Sequence, residues 1–366
     1  MSHEFHSLKV VDIKRETTDA STLYFEIPQE LSTQYEYKSG QYLTLKFTLN
    51  GQEVRRPYSI CTSPNESKFG VNVKRVKKGL VSNHVNDQVN VGDLIDVMQP
   101  DGTFTMNFDH SLERELFFFS SGSGITPIIS LIKTALEEEP KSRCYLLYGN
   151  KSEDSIIFKK ELEELEQKYS GQFYLRHTLT QPKKSKSGGL KGLFSKGKES
   201  WTGWKGRVDG KRVDLFLDEH KNEGKETHFF ICGPGAMIDT LSDHLEKKSI
   251  ALDRIHTERF TAASAPNITN VKNGEASRVK VQLSGKEIEI SVTPDKTILD
   301  TLIDEKYDPP YSCTSGACST CIAKLTKGSV EMDACYALDD DEIKEGYILV
   351  CQSRATTPEV EITFDT

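Results

Sequence analysis

The 366-residue sequence predicts a multidomain fold: an antiparallel β-barrel, then an α/β domain on a parallel sheet, then a smaller C-terminal domain organised around cysteines. Three observations carry that prediction. Residues 1–110 are dominated by short β-rich runs; residues 111–260 alternate apolar strands with helical patterns; and residues 277–366 hold three closely spaced cysteines and a distant fourth. A chain of this length can bury a separate core in each part.

Within the first part, Ser21–Ile27, Gln41–Phe47 and Phe69–Val76 read as strands, and Asn50-Gly51 is a hairpin signal. The texture changes at Leu116-Phe117-Phe118-Phe119-Ser120, an apolar run that ends in Gly122-Ser123-Gly124-Ile125-Thr126-Pro127 and leads into a helix through Leu136. Cys144–Tyr148 is the next buried strand, and a charged helix is expected from about Ser155 to Tyr169. Phe173–Thr180 and His228–Cys232 are further strands, with helices at Val213–His220 and Ala236–Lys247. This alternation implies a parallel sheet covered on both faces. Pro182–Ser200, rich in Lys, Gly and Ser, interrupts it as a basic flexible loop, and 261–276 reads as an interdomain linker. Beyond the linker, Val279–Leu283 and Glu287–Val292 form a hairpin around Ser284-Gly285, followed by a helix at Thr297–Glu305.

Composition narrows the function classes. No apolar run approaches membrane-spanning length, and the first residues lack the charged-then-apolar pattern of a signal peptide. A soluble cytoplasmic protein that makes no membrane contact is expected, in a compartment that suits free thiols. From Ser277 onward there are 17 Asp/Glu and 9 Lys/Arg, so this end carries the whole net charge of −8. Such a balance offers nothing to nucleic acid; an acidic face could steer a basic redox partner, or serve solubility alone.

Cys313, Cys318, Cys321 and Cys351 follow the C-x₄-C-x₂-C…C spacing of a plant-type [2Fe–2S] cluster. Each iron needs two thiolates, so three cysteines on one tight loop and a fourth brought in by the fold complete the set. Gly316 and its small neighbours let the backbone wrap closely and aim N–H groups at sulfur. Zinc is the rival, although its sites usually show two C-x₂-C pairs and one is present. Cys61, Cys144, Cys232 and Cys335 are scattered singly, and buried packing is the default reading for each.

Arg56-Pro57-Tyr58-Ser59 lies at the end of the barrel sequence. A flavin needs an aromatic ring on its face, a hydroxyl near N5 and a cation for its phosphates; Tyr58, Ser59 and Arg56 supply these. Alternation places Arg56 and Tyr58 on one face of the strand and Ser59 on the other. Gly79-Leu80-Val81-Ser82, after Lys74-Arg75-Val76, is either a phosphate-binding turn or a simple turn. Gly122–Pro127 joins a buried strand to a helix N-terminus, a place that favours phosphate, although a glycine turn with Pro in the first helical turn looks alike. Cys232-Gly233-Pro234-Gly235 stands in the same strand-to-helix context.

The order R-P-Y-S, G-S-G-I-T-P, C-G-P-G resembles the ferredoxin–NADP⁺ reductase family across about residues 1–260, and residues from about 277 resemble a plant-type ferredoxin, a β-grasp fold. The resemblance implies an FAD-binding barrel, an NAD(P)-binding α/β domain and a [2Fe–2S] ferredoxin domain. It further implies that Arg56, Pro57, Tyr58 and Ser59 hold the flavin, with Lys74, Val76, Gly79 and Ser82 around its phosphates and ribityl chain. Gly122, Gly124, Thr126, Gly149, Cys232 and Gly233 would line the nicotinamide-nucleotide site. Glu258-Arg259-Phe260 matches the acid-x-aromatic that ends the reductase module, so Phe260 would stack on the flavin, and Ser59, Cys232 and Glu258 would serve catalysis. The implied electron path runs from NADPH or NADH to FAD, to the cluster, and on to the oxygenase component of a multicomponent system. An Arg that reductases preferring NADPH commonly carry after the Tyr174–Thr180 strand is replaced by Gln181, with Lys183 and Lys184 beyond. The competing readings are a different acceptor, or a passive electron carrier or zinc-stabilised binding protein without turnover.

Overall fold

The computed structural model describes residues 4–185, 198–199, 201–220, 224–260 and 275–365. Most of the expected basic loop and of the expected linker therefore lies outside the described residues.

The first sheet has six strands: β1 (Phe5–Thr17), β2 (Ala20–Glu26), β3 (Tyr42–Leu49), β4 (Gln52–Ser59), β5 (Phe69–Lys74) and β6 (Leu94–Met98). Their order is β4-β3-β6-β1-β2-β5, and a bridge between Ile60 and Val71 brings the two outer strands together. That contact closes the barrel and leaves no long open edge. Asn50 (φ 54°) and Gly51 (φ 76°) both take the left-handed conformation a two-residue hairpin turn demands. Leu8, Leu23, Leu43, Leu45, Val71, Val73 and Val97 fill the interior.

One element departs from the all-strand expectation. Leu80–Asp87 is a helix, α1, in the connection between β5 and β6. Val81 and Val85 bury its inner face in the barrel core, and Asn86 Nδ2 donates to Val73 O at 3.1 Å. Eight residues with only two core anchors give a weak periodic signal, which is why the strand-rich context hid it.

The second sheet is wholly parallel, in the order β12-β9-β8-β7-β13-β14. Its elements in chain order are β7 (Arg114–Ser121), α2 (Ile125–Glu138), β8 (Arg143–Asn150), α3 (Lys159–Lys168) and β9 (Phe173–Leu179). Then come a two-residue ribbon, β10 (Lys184–Ser185) paired with β11 (Lys198–Glu199), and β12 (Trp204–Lys205). The sequence closes with α4 (Gly210–Glu219), β13 (Glu226–Cys232), α5 (Gly235–Lys247) and β14 (Ile255–Glu258). The charged helix starts later than expected, because Ile156, Ile157 and Phe158 are buried and Phe158 (φ 58°) turns the chain before Lys159.

The triple phenylalanine shows why the sheet is buried on both faces. Phe117 stacks on Tyr145 (4.6 Å) and Phe229 (5.6 Å) and joins the core shared with Val213 and Phe216 of α4 and Leu241 of α5. Phe118 points the other way and stacks on Phe230 at 5.0 Å. Strand order reverses between β7 and β13, and the crevice beyond their C-terminal ends is where a parallel sheet takes its ligand.

The C-terminal part is a five-stranded mixed sheet in the order β16-β15-β21-β17-β19. Its elements are β15 (Ser277–Leu283), β16 (Lys286–Val292), α6 (Ile298–Asp304), β17 (Ile322–Lys327), β18 (Val330–Met332), α7 (Asp340–Lys344), β19 (Tyr347–Leu349), β20 (Ser353–Ala355) and β21 (Glu359–Thr363). α6 opens on a reciprocal cap: Thr297 Oγ1 accepts from Asp300 N at 3.1 Å, and Asp300 Oδ2 accepts from Thr297 N at 3.2 Å. Ile298, Leu299 and Leu302 then pack on Val279, Val281, Ile290 and Val360.

Candidate functional site

Cys232, the last residue of β13, pairs in register with Ser120 of β7 on one side and with Glu258 of β14 on the other. In a parallel sheet such partners share a face, so these three side chains form a lateral row at the mouth of the crevice. Ser59, at the end of β4, reaches the same row: its hydroxyl donates to Glu258 Oε2 at 3.2 Å, and Cys232 Sγ lies 4.0 Å from that oxygen. Burial pushes the Glu258 carboxyl up to about 8, with the Ser59 hydrogen bond pulling the other way. Burial also lifts the Cys232 thiol well above its ordinary value, and Glu258 adds to the shift. At neutral pH the row therefore holds a protonated carboxyl and a neutral thiol, suited to holding a proton beside a redox ring rather than to thiolate attack.

The two glycine turns are built against each other. A Cβ on Gly124 would meet Cys232 O at 2.1 Å and Gly233 N at 2.8 Å, so only glycine lets the start of α2 approach the end of β13. Residues Gly122–Gly124 form a single 3₁₀ turn, and Thr126 Oγ1, buried, donates to Ser123 O at 2.9 Å. The Thr126 hydroxyl thus fixes the turn itself. Tyr148, which sequence reasoning missed, donates to Gly122 O at 2.8 Å from the end of β8. Gly149 lies against Val208 and Gly233 against Met237. Lys74, expected near flavin phosphate, ends β5 with its ammonium beside Gly122. Burial lowers its pKa, and the neighbouring Lys151 adds to the shift.

On the barrel, Tyr58 is half-buried against the core while Arg56 is exposed and donates to Arg55 O at 2.7 Å. Pro57 stands between them on β4. Gly79 precedes α1, whose first turn has no side-chain cap, so its backbone donors stay open for an anion. The buried Ser82 Oγ accepts from Val76 N at 3.0 Å and holds the turn, and Val76 itself is 60 % exposed. Phe260 follows β14 two residues after Glu258.

The cluster loop has the features iron–sulfur ligation requires. Gly316 (φ 72°) passes so close to Ala334 that a Cβ would meet its carbonyl oxygen at 2.6 Å. Ser315 N–H points at Cys313 Sγ from 3.4 Å. Gln352, next to Cys351, donates from Nε2 to Thr314 O at 3.2 Å and so ties the fourth cysteine to the loop. The sulfurs converge: Cys313 interacts with Cys318 and Cys351, and Cys351 also with Cys321. Among the described residues no three His, Cys, Asp or Glu side chains gather round one ion position. Cys335 is half-buried beside this loop, with its thiol raised by burial.

Comparison with known proteins fits these three sites one to one. The oxidoreductase FAD-binding domain family matches residues 7–106, the oxidoreductase NAD-binding domain family residues 118–243, and the 2Fe-2S iron-sulfur cluster binding domain family residues 281–356. A 1,2-phenylacetyl-CoA epoxidase subunit from Escherichia coli K12 is 34% identical over 99% of this chain and 98% of its own length. The chain belongs to the ferredoxin–NADP⁺ reductase family, joined to a plant-type ferredoxin domain. A second family member, the ferredoxin reductase component of 3-ketosteroid-9-alpha-monooxygenase from Rhodococcus rhodochrous, is 31% identical over 98% of this chain and 96% of its own. The phthalate dioxygenase reductase structure covers 98% of each chain at a TM-score of 0.58 and 24% identity, which shows the shared fold. The protein is thus an NAD(P)H-dependent flavin and iron–sulfur oxidoreductase, carrying FAD, nicotinamide and [2Fe–2S] modules on one chain.

Proposed function

We propose that this protein is the reductase component of a bacterial-type multicomponent oxygenase, and that its acceptor is the oxygenase component of a 1,2-phenylacetyl-CoA epoxidase, within phenylacetate catabolism. The observation that carries this reading is the 34% identity with the Escherichia coli epoxidase protein, sustained from end to end of both chains. The 31% identity with the ketosteroid monooxygenase component favours a second reading, a different oxygenase served by the same electron path. A cytoplasmic location accords with eight free cysteines and with the lack, among the described residues, of any helix long and apolar enough to cross a membrane.

When bound, nicotinamide releases two electrons together as hydride, a [2Fe–2S] cluster takes them singly, and flavin does both. The chain's own residues position and protect that exchange. Tyr58, Ser59 and Arg56 on one strand would carry the flavin's face, ring edge and phosphate, with Gly79 and the first turn of α1 completing the phosphate cradle. Gly122, Gly124 and Gly233 would admit the dinucleotide to the backbone, and Cys232 would face the nicotinamide. Glu258 Oε2 would hold the proton that the Ser59 hydroxyl passes toward the flavin, and Phe260 would cover its ring. Cys313, Cys318, Cys321 and Cys351 would ligate the irons. The division into 1–110, 111–260 and 277–366 is the working assignment of these roles.

The test is reconstitution. Purified protein combined with the oxygenase component of 1,2-phenylacetyl-CoA epoxidase should turn over phenylacetyl-CoA with stoichiometric NADPH or NADH consumption. Product formation only with a ketosteroid or ring-hydroxylating oxygenase component would establish the second reading instead.

A further inference from the structure

Arg55 is a cation that the flavin reading does not use. It alternates with Arg56 along β4, so the two side chains leave the strand on opposite faces. Arg56 is exposed, whereas Arg55 is only 5 % exposed, and an arginine that deeply buried needs partners. Arg55–Pro57 belong to the same compact unit as the C-terminal sheet, and Arg55 finds its partners there. Its guanidinium donates to Asp308 Oδ1 at 2.7 Å and lies over the Tyr311 ring, 4.2 Å from the centroid.

Asp308 and Tyr311 lead straight into the cluster loop. Pro309 and Pro310 join them, and the φ angle fixed by each ring makes the connection stiff. Tyr311 is buried in the C-terminal core, Ser312 is buried behind it, and Cys313 comes next. A displacement of Tyr311 is therefore passed on to the first ligand sulfur.

A second arginine repeats the arrangement. Arg259 stands between Glu258 and Phe260, and its guanidinium lies 5.1 Å from the centroid of the Tyr336 ring. Tyr336 N donates to Gly316 O at 3.0 Å, which ties this tyrosine to the middle of the cluster loop. Each arginine thus adjoins in sequence a residue expected at the flavin, Arg56 or Phe260. Each also carries on its guanidinium a tyrosine attached to the loop that holds the cluster sulfurs.

We propose that Arg55 and Arg259 are positioning residues for one-electron transfer, a two-point clamp that fixes the Cys313–Cys321 loop beside Arg56 and Phe260. The inference rests on the flavin and cluster reading of the chain and adds to it the residues that set the gap the electron crosses. NAD(P)H supplies the electron pair to the flavin, and the cluster accepts the two electrons one at a time; the clamp itself exchanges neither proton nor electron.

The experiment uses the full-length holoprotein with Arg55→Ala, Arg259→Ala and Arg55→Lys made singly. Anaerobic mixing with NADPH or NADH is followed by stopped flow at a flavin band and at the red cluster absorbance. In both alanine variants flavin reduction should stay within about twofold of the parent while cluster reduction slows about tenfold, because small misplacements of reacting groups cost rate steeply. Arg55→Lys keeps a charge for Asp308 but not the planar stack, and should recover more of the rate than Arg55→Ala. Amide exchange read by mass spectrometry gives a measure independent of turnover: it should rise several-fold over Ser312–Cys318 in the alanine variants while β17 and β21 stay protected. Cluster reduction at the parent rate in both alanine variants would overturn the proposal. So would flavin and cluster reduction slowed alike, or exchange raised equally in loop and sheet, which marks a general loss of stability. Parent protein without flavin bands or without the red absorbance would overturn the underlying cofactor reading, a separate and distinguishable failure.

Discussion

Glu258 is the residue whose environment does most to set the chemistry. Its carboxyl is raised to about 8 by burial, so the folded protein holds a proton there that the unfolded chain releases near 4.5. Folded-state stability from this group is therefore fully present below about 4.5 and falls as pH rises toward about 8. Glu258→Gln should remove that slope: denaturation midpoints of parent and variant, compared at intervals from acid to pH 9, should show the variant gaining relative to the parent as pH rises. The same substitution should slow flavin reduction by NAD(P)H by about 10²-fold in stopped-flow traces, the usual loss for a positioned proton donor. A variant with unchanged reduction would leave Glu258 a structural group. At the cluster, Cys318→Ser should abolish the broad visible absorbance while Cys335→Ser retains it, since Cys335 lies beside the loop without being one of the four converging sulfurs.

Elements place these residues, and here the sequence was unevenly legible. The Cys313–Cys321 loop could be read from spacing alone, because ligand geometry fixes spacing. The Phe117–Phe119 run announced a strand buried on both faces, because no half-exposed strand tolerates it. The Ser59–Glu258 contact could not be read as geometry, since about two hundred residues separate its partners and they end strands of different sheets, β4 and β14. Likewise α1 hid in a strand-rich stretch. Where two elements meet most closely, change should be least tolerated. Gly124→Ala would drive a methyl into the Cys232 carbonyl, costing about 1–3 kcal/mol of overpacking and weakening nucleotide binding; thermal denaturation and NAD⁺ titration would read both. Lys133 of α2 is buried between Glu66 (3.0 Å) and Glu161 and also donates to Cys61 O at 3.3 Å, joining the barrel to the α/β sheet. Burial pulls its ammonium down, but Glu161 and Glu66 outweigh that and hold it above the usual lysine range. Lys133→Ala should cost about 3 kcal/mol in urea denaturation, because it takes the buried cation from Glu66 and leaves Glu161 with Lys14 alone, at 3.6 Å.

Across the whole molecule, charge and cofactor order point the same way. The flavin and nucleotide modules are balanced in charge, while the cluster-bearing end carries the full net −8. Electrons therefore leave through the acidic part, and the delivery rate to a basic acceptor should fall several-fold between low and physiological ionic strength, with NAD(P)H-to-flavin transfer changing far less. The central claim is that one chain passes electrons from nicotinamide through flavin to a [2Fe–2S] cluster. Its most direct test is an anaerobic titration of the purified protein with NADPH, then NADH, followed in the visible spectrum. Flavin bands and a broad red absorbance that both bleach on adding reductant are the predicted result. A colourless protein carrying zinc, or flavin that bleaches with no red component beside it, would contradict the account.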